Sequence, residues 1–258
     1  MTKFKAFLLH FSLSLSIFCA VTLLVALIWY PSIYLETSGV WKAMQMVALV
    51  DVGLGPLMTL ILFKKNKPGL KFDLSVVAIV QVIALCYGVS VLYSQKPVLT
   101  VFHDGFFVCL NQQQVDYAVV DLSLLNSPNH PVVVAVLPPL TLEQLQDWQQ
   151  RSLQLPPGYP KHPGFVYGDA MVAYPGESLA TVLEDEWDLS RQIVMDEADG
   201  KVWQSYEREY GTDANHAFFP LTCGFHQYMV AVNALSGQFD EVLDISFINT
   251  QRKRLMPR

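Results

Sequence analysis

Charge is scarce in this sequence: Asp, Glu, Lys and Arg make up 16% of its 258 residues, against 52% hydrophobic residues. That balance excludes an ordinary soluble globule. Catalytic signatures are missing as well. The chain has no glycine-rich loop to cradle a phosphate, no HExxH, no CxxC and no GxSxG. His103, His130, His162, His216 and His226 are scattered, with no pair at metal-ligand spacing. No metal and no cofactor is therefore expected. Positive charge is missing where nucleic acid would need it. After Lys96, nine Lys/Arg stand against twenty Asp/Glu, a net charge of −11 that excludes a phosphate backbone as partner.

The first 96 residues are different, with eight Lys/Arg against three Asp/Glu, a net charge of +5. They contain three apolar runs, predicted as transmembrane helices over about 7–30, 40–63 and 72–93. The first run has no charged residue from Phe7 to Tyr30, long enough to cross a hydrocarbon layer of roughly 30 Å. A cleaved signal would have a core of roughly 7 to 15 residues ending in small side chains. Here the run ends in Trp29, Tyr30 and Pro31, an interfacial anchor and a helix stop. The bulky Phe18 before Cys19 argues against lipidation at that cysteine.

The link between the second and third runs, KKNKPGLK, carries Lys64, Lys65, Lys67 and Lys71, whereas PSIYLETSG between the first and second carries no Lys or Arg. The positive-inside rule then puts the N-terminus and the lysine link in the cytoplasm and residues 97–258 outside it. In a Gram-negative cell that region is a periplasmic domain on an inner-membrane anchor.

Asp51, in VALVDVGLGPLMT, is an ionisable residue in the middle of this bundle, about 18 Å from the cytoplasmic end of its helix at 1.5 Å per residue. Ser16 and Gln81 fall at similar depths. An intramembrane carboxyl is costly and turns inward toward polar partners. Gln81, serine hydroxyls and backbone freed near Pro56 are the available ones. Gly53 and Gly55 permit close helix approach, and Pro56 removes a backbone donor and should kink the span. Asp51, Gly53, Gly55, Pro56 and Gln81 are thus candidates either for binding a membrane partner or for locking the three helices together. A proton relay is the weaker reading, because a relay needs a chain of acids or histidines.

From Pro97 the pattern changes to short β-like runs between turn residues. VLTVFH, Asp104-Gly105 and FFVCL form a hairpin signal, and VVVAVL between Pro131 and Pro138 is another strand. TLEQLQDWQQRSL has helical spacing through Leu142, Leu145 and Trp148, with Thr141 and Gln144 at capping positions. Residues 156–175, with five prolines and three glycines, read as a loop that could bind a partner. A further helix is predicted over 178–192, its acidic run Glu184, Asp185, Glu186 and Asp188 facing solvent. Asp196, Glu197, Asp199 and Gly200 read as a solvated turn. HAFFPLTC, GFHQYMVAVNA and QFDEVLDISF close the chain as an antiparallel meander.

The expected fold is therefore a membrane-anchored α+β protein: three transmembrane helices over residues 1–96, then one mixed α+β domain with a mainly antiparallel sheet over 97–258. Cys19 and Cys86 lie in the spans. Cys109 and Cys223 fall in predicted strands, where a disulfide and two buried thiols are both open.

The order KFKAFLLHFSLSL, WYP, VDVGLGPLMTLILFKKNKPGLKFDLSVVAIVQVIALCYG and KPVLTVFHDGFFV resembles the type IV pilin accessory proteins of the TfpX/TfpZ group, most strongly over residues 1–108. FFPLTCGFHQYMVAVNALSGQFDEVLDISF is similar to that family's closing strands. It departs where an acidic residue is expected near Asn233 and where a Pro-Trp is expected after the last strand. The resemblance implies a non-enzymatic inner-membrane protein that helps a major type IV pilin to be assembled and displayed, in contact with pilin, with other pilus assembly components and with membrane lipid. Mature pilins carry a Glu early in their membrane helix, which Asp51 would meet only with one of the two carboxyls protonated. The chain itself lacks the short basic leader of a pilin. The alternative reading is a membrane-anchored periplasmic sensor or ligand-binding module, although no cytoplasmic output domain is seen. A small anchored hydrolase ranks last.

Overall fold

The computed structural model describes residues 2–65, 67–118, 131–137, 141–154, 170–185, 197–211, 215–224 and 226–245. The chain divides into two compact units, Met1–Lys96 and Pro97–Arg258.

The first unit contains three helices long and apolar enough to cross a membrane, Lys3–Trp29, Val40–Leu62 and Leu70–Gln95. In the first, α1 (Lys3–Leu24) starts where the Thr2 side chain accepts a hydrogen bond from the Lys5 amide. It widens into a π-helical turn over Val25–Trp29 and stops before Pro31, which cannot donate to a continuing helix. The short α2 (Tyr34–Thr37) follows. The second span is made of α3 (Val40–Ala48), a π turn at Leu49–Leu54 and α4 (Gly55–Leu62); the third is α5 (Leu70–Gln95). Most apolar side chains of these spans point outward, as lipid-facing surfaces do. Helix α4 packs against both α1 and α5. The ends of the first and third spans are fastened where the buried Tyr30 hydroxyl donates to the Leu92 carbonyl at 2.8 Å and Trp29 meets the Tyr93 ring edge-on at 5.2 Å.

The second unit is built on a seven-stranded sheet in the order β4-β3-β1-β2-β5-β6-β7. Its strands are β1 (Pro97–His103), β2 (Phe106–Asn111), β3 (Val132–Val136), β4 (Met171–Ala173), β5 (His216–Cys223), β6 (His226–Asn233) and β7 (Phe239–Leu243). The helices are α6 (Gln112–Ala118), α7 (Leu142–Leu153), α8 (Leu179–Glu184) and α9 (Glu197–Tyr210).

The β1–β2 hairpin turns at Asp104 and Gly105, with φ of 50° and 79°, the left-handed pair that matches strand twist. β5, β6 and β7 form the antiparallel meander. The sheet as a whole, however, is mixed and not mainly antiparallel: β3 runs parallel to β1, and β5 runs parallel to β2. Parallel neighbours need long crossovers, and the chain supplies them in the stretches that carry α6 and, later, α8 and α9. Alternation along each strand carries no information about which strand it lies beside. The unbroken apolar VVVAV of β3 was the clue, since a strand covered on both faces loses its alternation.

One face of the sheet carries Leu99, Val101, Leu110, Val132 and Val134 under Val115 of α6 and Trp148 of α7. The register continues this face through Met229, Ala231 and Leu243, covered by Tyr206 of α9. The opposite face holds the Phe102, Phe107 and Phe219 rings, with Tyr174 and Phe239 edge-on to Phe107. Thr141 caps α7 by accepting from the Gln144 amide at 3.2 Å, yet Trp148 alone of the three expected positions is buried, while Leu142 and Leu145 are exposed.

Three local expectations change. Residues 171–173, inside the segment expected to be a loop, form β4, and 155–169 lie outside the described residues. The helix expected over 178–192 is α8, with 186–196 outside the described residues. The expected turn at 196–200 opens α9 from Glu197 onward, and Asp199 is buried. Packing of Trp203 and Tyr206 on the sheet overrides the turn preference of Asp199-Gly200.

Candidate functional site

Asp51 is the middle residue of the 23-residue span Val40–Leu62 and is 7% exposed. It sits in the π turn, where the Gly55 amide donates to the Val50 carbonyl. Pro56, the next residue, has no amide hydrogen. Together these leave the Asp51 carbonyl oxygen without a donor from its own helix. The Gln81 side chain on α5 fills that gap, its Nε2 donating to the Asp51 carbonyl at 3.2 Å. Gly55 makes the approach possible, because a Cβ there would overlap the Gln81 amide. Asp51, Gly55, Pro56 and Gln81 are thus brought into one arrangement. Gly53 is not part of it: a Cβ there would meet only its own span, at 3.9 Å or more. Gln81 reaches the Asp51 backbone, not the carboxyl. Asp51 Oδ1 and Gln81 Oε1 are buried and have no hydrogen-bond partner.

Both residues line a cleft of about 130 Å³. That is more space than the roughly 30 Å³ one water occupies in the liquid. His10 and Ser14 of α1 add polar groups to it, among Ile17, Phe18, Val82 and Leu85. Beside it, His10 Nδ1 lies 2.6 Å from the Thr59 hydroxyl. Ser16, which shares the depth of Asp51, is exposed and returns its hydroxyl to the Ser12 carbonyl at 2.8 Å. Depth alone therefore picked the wrong serine. Angular spacing finds the right one: residues 10, 14, 17 and 18 on α1, and 78, 81, 82 and 85 on α5, recur at three- and four-residue steps along one helix face.

In the second unit, Cys109 of β2 and Cys223 of β5 are register partners joined in a disulfide, with Cα atoms 4.8 Å apart. Elsewhere in that unit the scattered histidines acquire partners that no spacing announced. His216 lies between the Tyr206 hydroxyl, 2.5 Å from Nδ1, and Asp240 Oδ2, 2.9 Å from Nε2. Asn233 donates to the same carboxylate oxygen at 3.1 Å, and Tyr210 donates to Glu241 at 2.9 Å. Burial, with Tyr210, Asp240 and Glu241 nearby, pushes the Tyr206 phenol up to about 12. This line ties α9 to β5 and β7, and its polar atoms are spent on each other. It holds the domain together and offers no free nucleophile. His103 is packed edge-on to Trp148, and burial lowers its pKa. His130 and His162 lie outside the described residues. Among the described residues no three His, Cys, Asp or Glu side chains converge on a point where a metal could sit.

The three apolar spans and the mixed-sheet unit after them define a membrane protein with a largely apolar cleft, edged by Asp51 and Gln81, at the midpoint of its second span. The profile of the family described as Fimbrial assembly protein FimB matches residues 1–39. A fimbrial assembly protein of Dichelobacter nodosus, serogroups C1 and C2, is 35% identical over 97 residues, covering 36% of this chain and 73% of that one. Those of serogroups I and E1 of the same organism are 35% identical over 97 residues, and the match spans 37% of their length. No solved structure matches. The chain belongs to the fimbrial assembly protein family, in keeping with the resemblance to type IV pilin accessory proteins.

Proposed function

We propose that this chain is a non-enzymatic inner-membrane accessory protein that acts in type IV pilus assembly by binding the major pilin and promoting its display at the surface. Membership of the fimbrial assembly family is the observation that carries this reading. The lysine-rich link supports a cytoplasmic N-terminus and a periplasmic sheet domain. A subunit waiting in the membrane on an apolar helix, with its head domain outside, presents surfaces that spans and sheet domain together can meet. Within the spans, the cleft at Asp51 offers a contact for such a helix; outside them, the disulfide and the Tyr206–His216–Asp240 line give a rigid domain suited to a docking scaffold.

The test is removal of the chain from cells that make it, followed by counting surface pili and measuring cellular pilin. The expected outcome is pilin still present and pili lost, with recovery on re-expression of the wild-type chain. An Asp51→Ala chain at normal membrane level should recover fewer pili. Unchanged piliation without the chain would refute the assembly role.

A further inference from the structure

We propose that the Asp51–Gln81 cleft is a recognition site for one membrane-spanning helix of another protein, carrying a hydrogen-bond-donating side chain at mid-membrane depth. The inference rests on the reading of this chain as a binder of a membrane-held fimbrial subunit, and it names the chemistry of that contact.

Two observations specify the occupant. First, two residues that line the cleft each keep a buried oxygen unpaired after the bundle has made its own bonds. Gln81 Nε2 is committed to the Asp51 carbonyl, so the amide cannot turn over without losing that bond, and its Oε1 is held as an acceptor. Asp51 Oδ1 is buried and unpartnered as well. Buried acceptors of this kind are normally paired. Second, the rest of the lining is apolar, with Ile17, Phe18, Val82 and Leu85 offering the surface that the side of a helix presses against. Acyl chains match this apolar part and bring no donor. Lipid headgroups bring donors and stay at the interface, whereas Asp51 is at the centre of its span. A spanning helix with a carboxamide, hydroxyl or protonated carboxyl satisfies both requirements. An ionised carboxylate would bring only further acceptors. Gly55 and Pro56 then have a defined part, since they create the space and the freed carbonyl that hold the Gln81 amide in place.

The test uses the full chain in its own membrane, with a photo-crosslinking residue in place of Ile17, which lines the cleft, and in a second strain in place of Leu23, which is exposed and does not line it. The expected result is capture of another protein from position 17, with the crosslink mapped inside its membrane-spanning helix within a turn of a donor side chain. Capture should fall at least about tenfold with Gln81→Leu or Asp51→Leu, the effect of losing a buried hydrogen-bond partner. It should fall equally when that donor residue of the partner is replaced by Leu. Val82→Trp, which fills the cleft while leaving Asp51 and Gln81 in place, guards against variants that fail to fold. It should block capture at a normal membrane level of the chain. Capture only of lipid, only of a second copy of this chain, or of a protein whose yield ignores all three substitutions in this chain overturns the proposal. Counting pili in the same strains separates the two readings. Pili lost on removal of the chain, with capture indifferent to the cleft, sinks the site and keeps the assembly role; the reverse pattern keeps the site and sinks the assembly role.

Discussion

At Gly55 a single missing methyl group decides whether the Gln81 amide can reach the Asp51 carbonyl. A Cβ there overlaps the Gln81 amide, while one at Gly53 makes only ordinary contact. Gly55→Val should therefore destabilise the membrane unit by about 1–3 kcal/mol through overpacking. Gly53→Ala should leave it within about 0.5 kcal/mol of wild type. Protease resistance of the full chain on warming in membranes checks both, and equal sensitivity of the two variants would contradict the packing argument.

A second test at this scale concerns His103. Burial lowers its pKa in the folded chain, with Asp104 opposing in part. The unfolded chain takes up a proton near the ordinary histidine range, around 6.5, while the folded chain resists it. Stability therefore falls as pH drops below that range. Tyr206 acts at the other end: the unfolded phenol ionises near 10.0 and the folded one near 12, so its contribution is whole below 10 and is lost as pH rises toward 12. Melting of the full chain in detergent between pH 5 and 11 should show both declines. His103→Gln should flatten the acid one and Tyr206→Phe the alkaline one; slopes unchanged in those variants would assign the effects elsewhere.

Among the elements, the parallel pairing of β2 with β5 is the one that the chain reinforces covalently, by a bond between residues 114 apart in sequence. Removing it with Cys223→Ser should cost about 2–5 kcal/mol, mainly by releasing the unfolded chain. Cys109→Ser should cost a similar amount, and the double variant no more than either single one. A urea midpoint unchanged in all three variants would show that the strand pair needs no bond. The second span shows how local chemistry shapes an element. Proline at 56 was readable as an interruption of the helix because it lacks a donor, and the interruption takes the form of a π turn at Leu49–Leu54 instead of a break. Helices α7 and the β1–β2 hairpin were readable from caps and turns, since Thr141 and Asp104-Gly105 act on neighbouring backbone. Helix α9 was not, because the contacts of Trp203 and Tyr206 that hold it lie with residues of β5, β6 and β7 far along the chain.

For the whole molecule, the proposed orientation has a direct check. With Cys19 and Cys86 replaced by Ser, a membrane-impermeant maleimide should label Leu235→Cys, on the β6–β7 turn, in cells with a permeabilised outer membrane. It should reach Lys65→Cys only after lysis. The opposite pattern would invert the topology. By itself, the sequence determined that three helices are long and apolar enough to cross a membrane, that an acidic domain follows them, and that a carboxyl lies deep in the second span. Those properties depend on composition and on residues within a few positions of each other. The tertiary structure decided which strands lie side by side, which serine lines the same cleft as Asp51, that His216 stands between a tyrosine and an aspartate, and that Gln81 spends its amide nitrogen on a backbone carbonyl. Each of these is set by the angle at which one element meets another, and an angle between distant segments leaves no mark on the spacing within either of them.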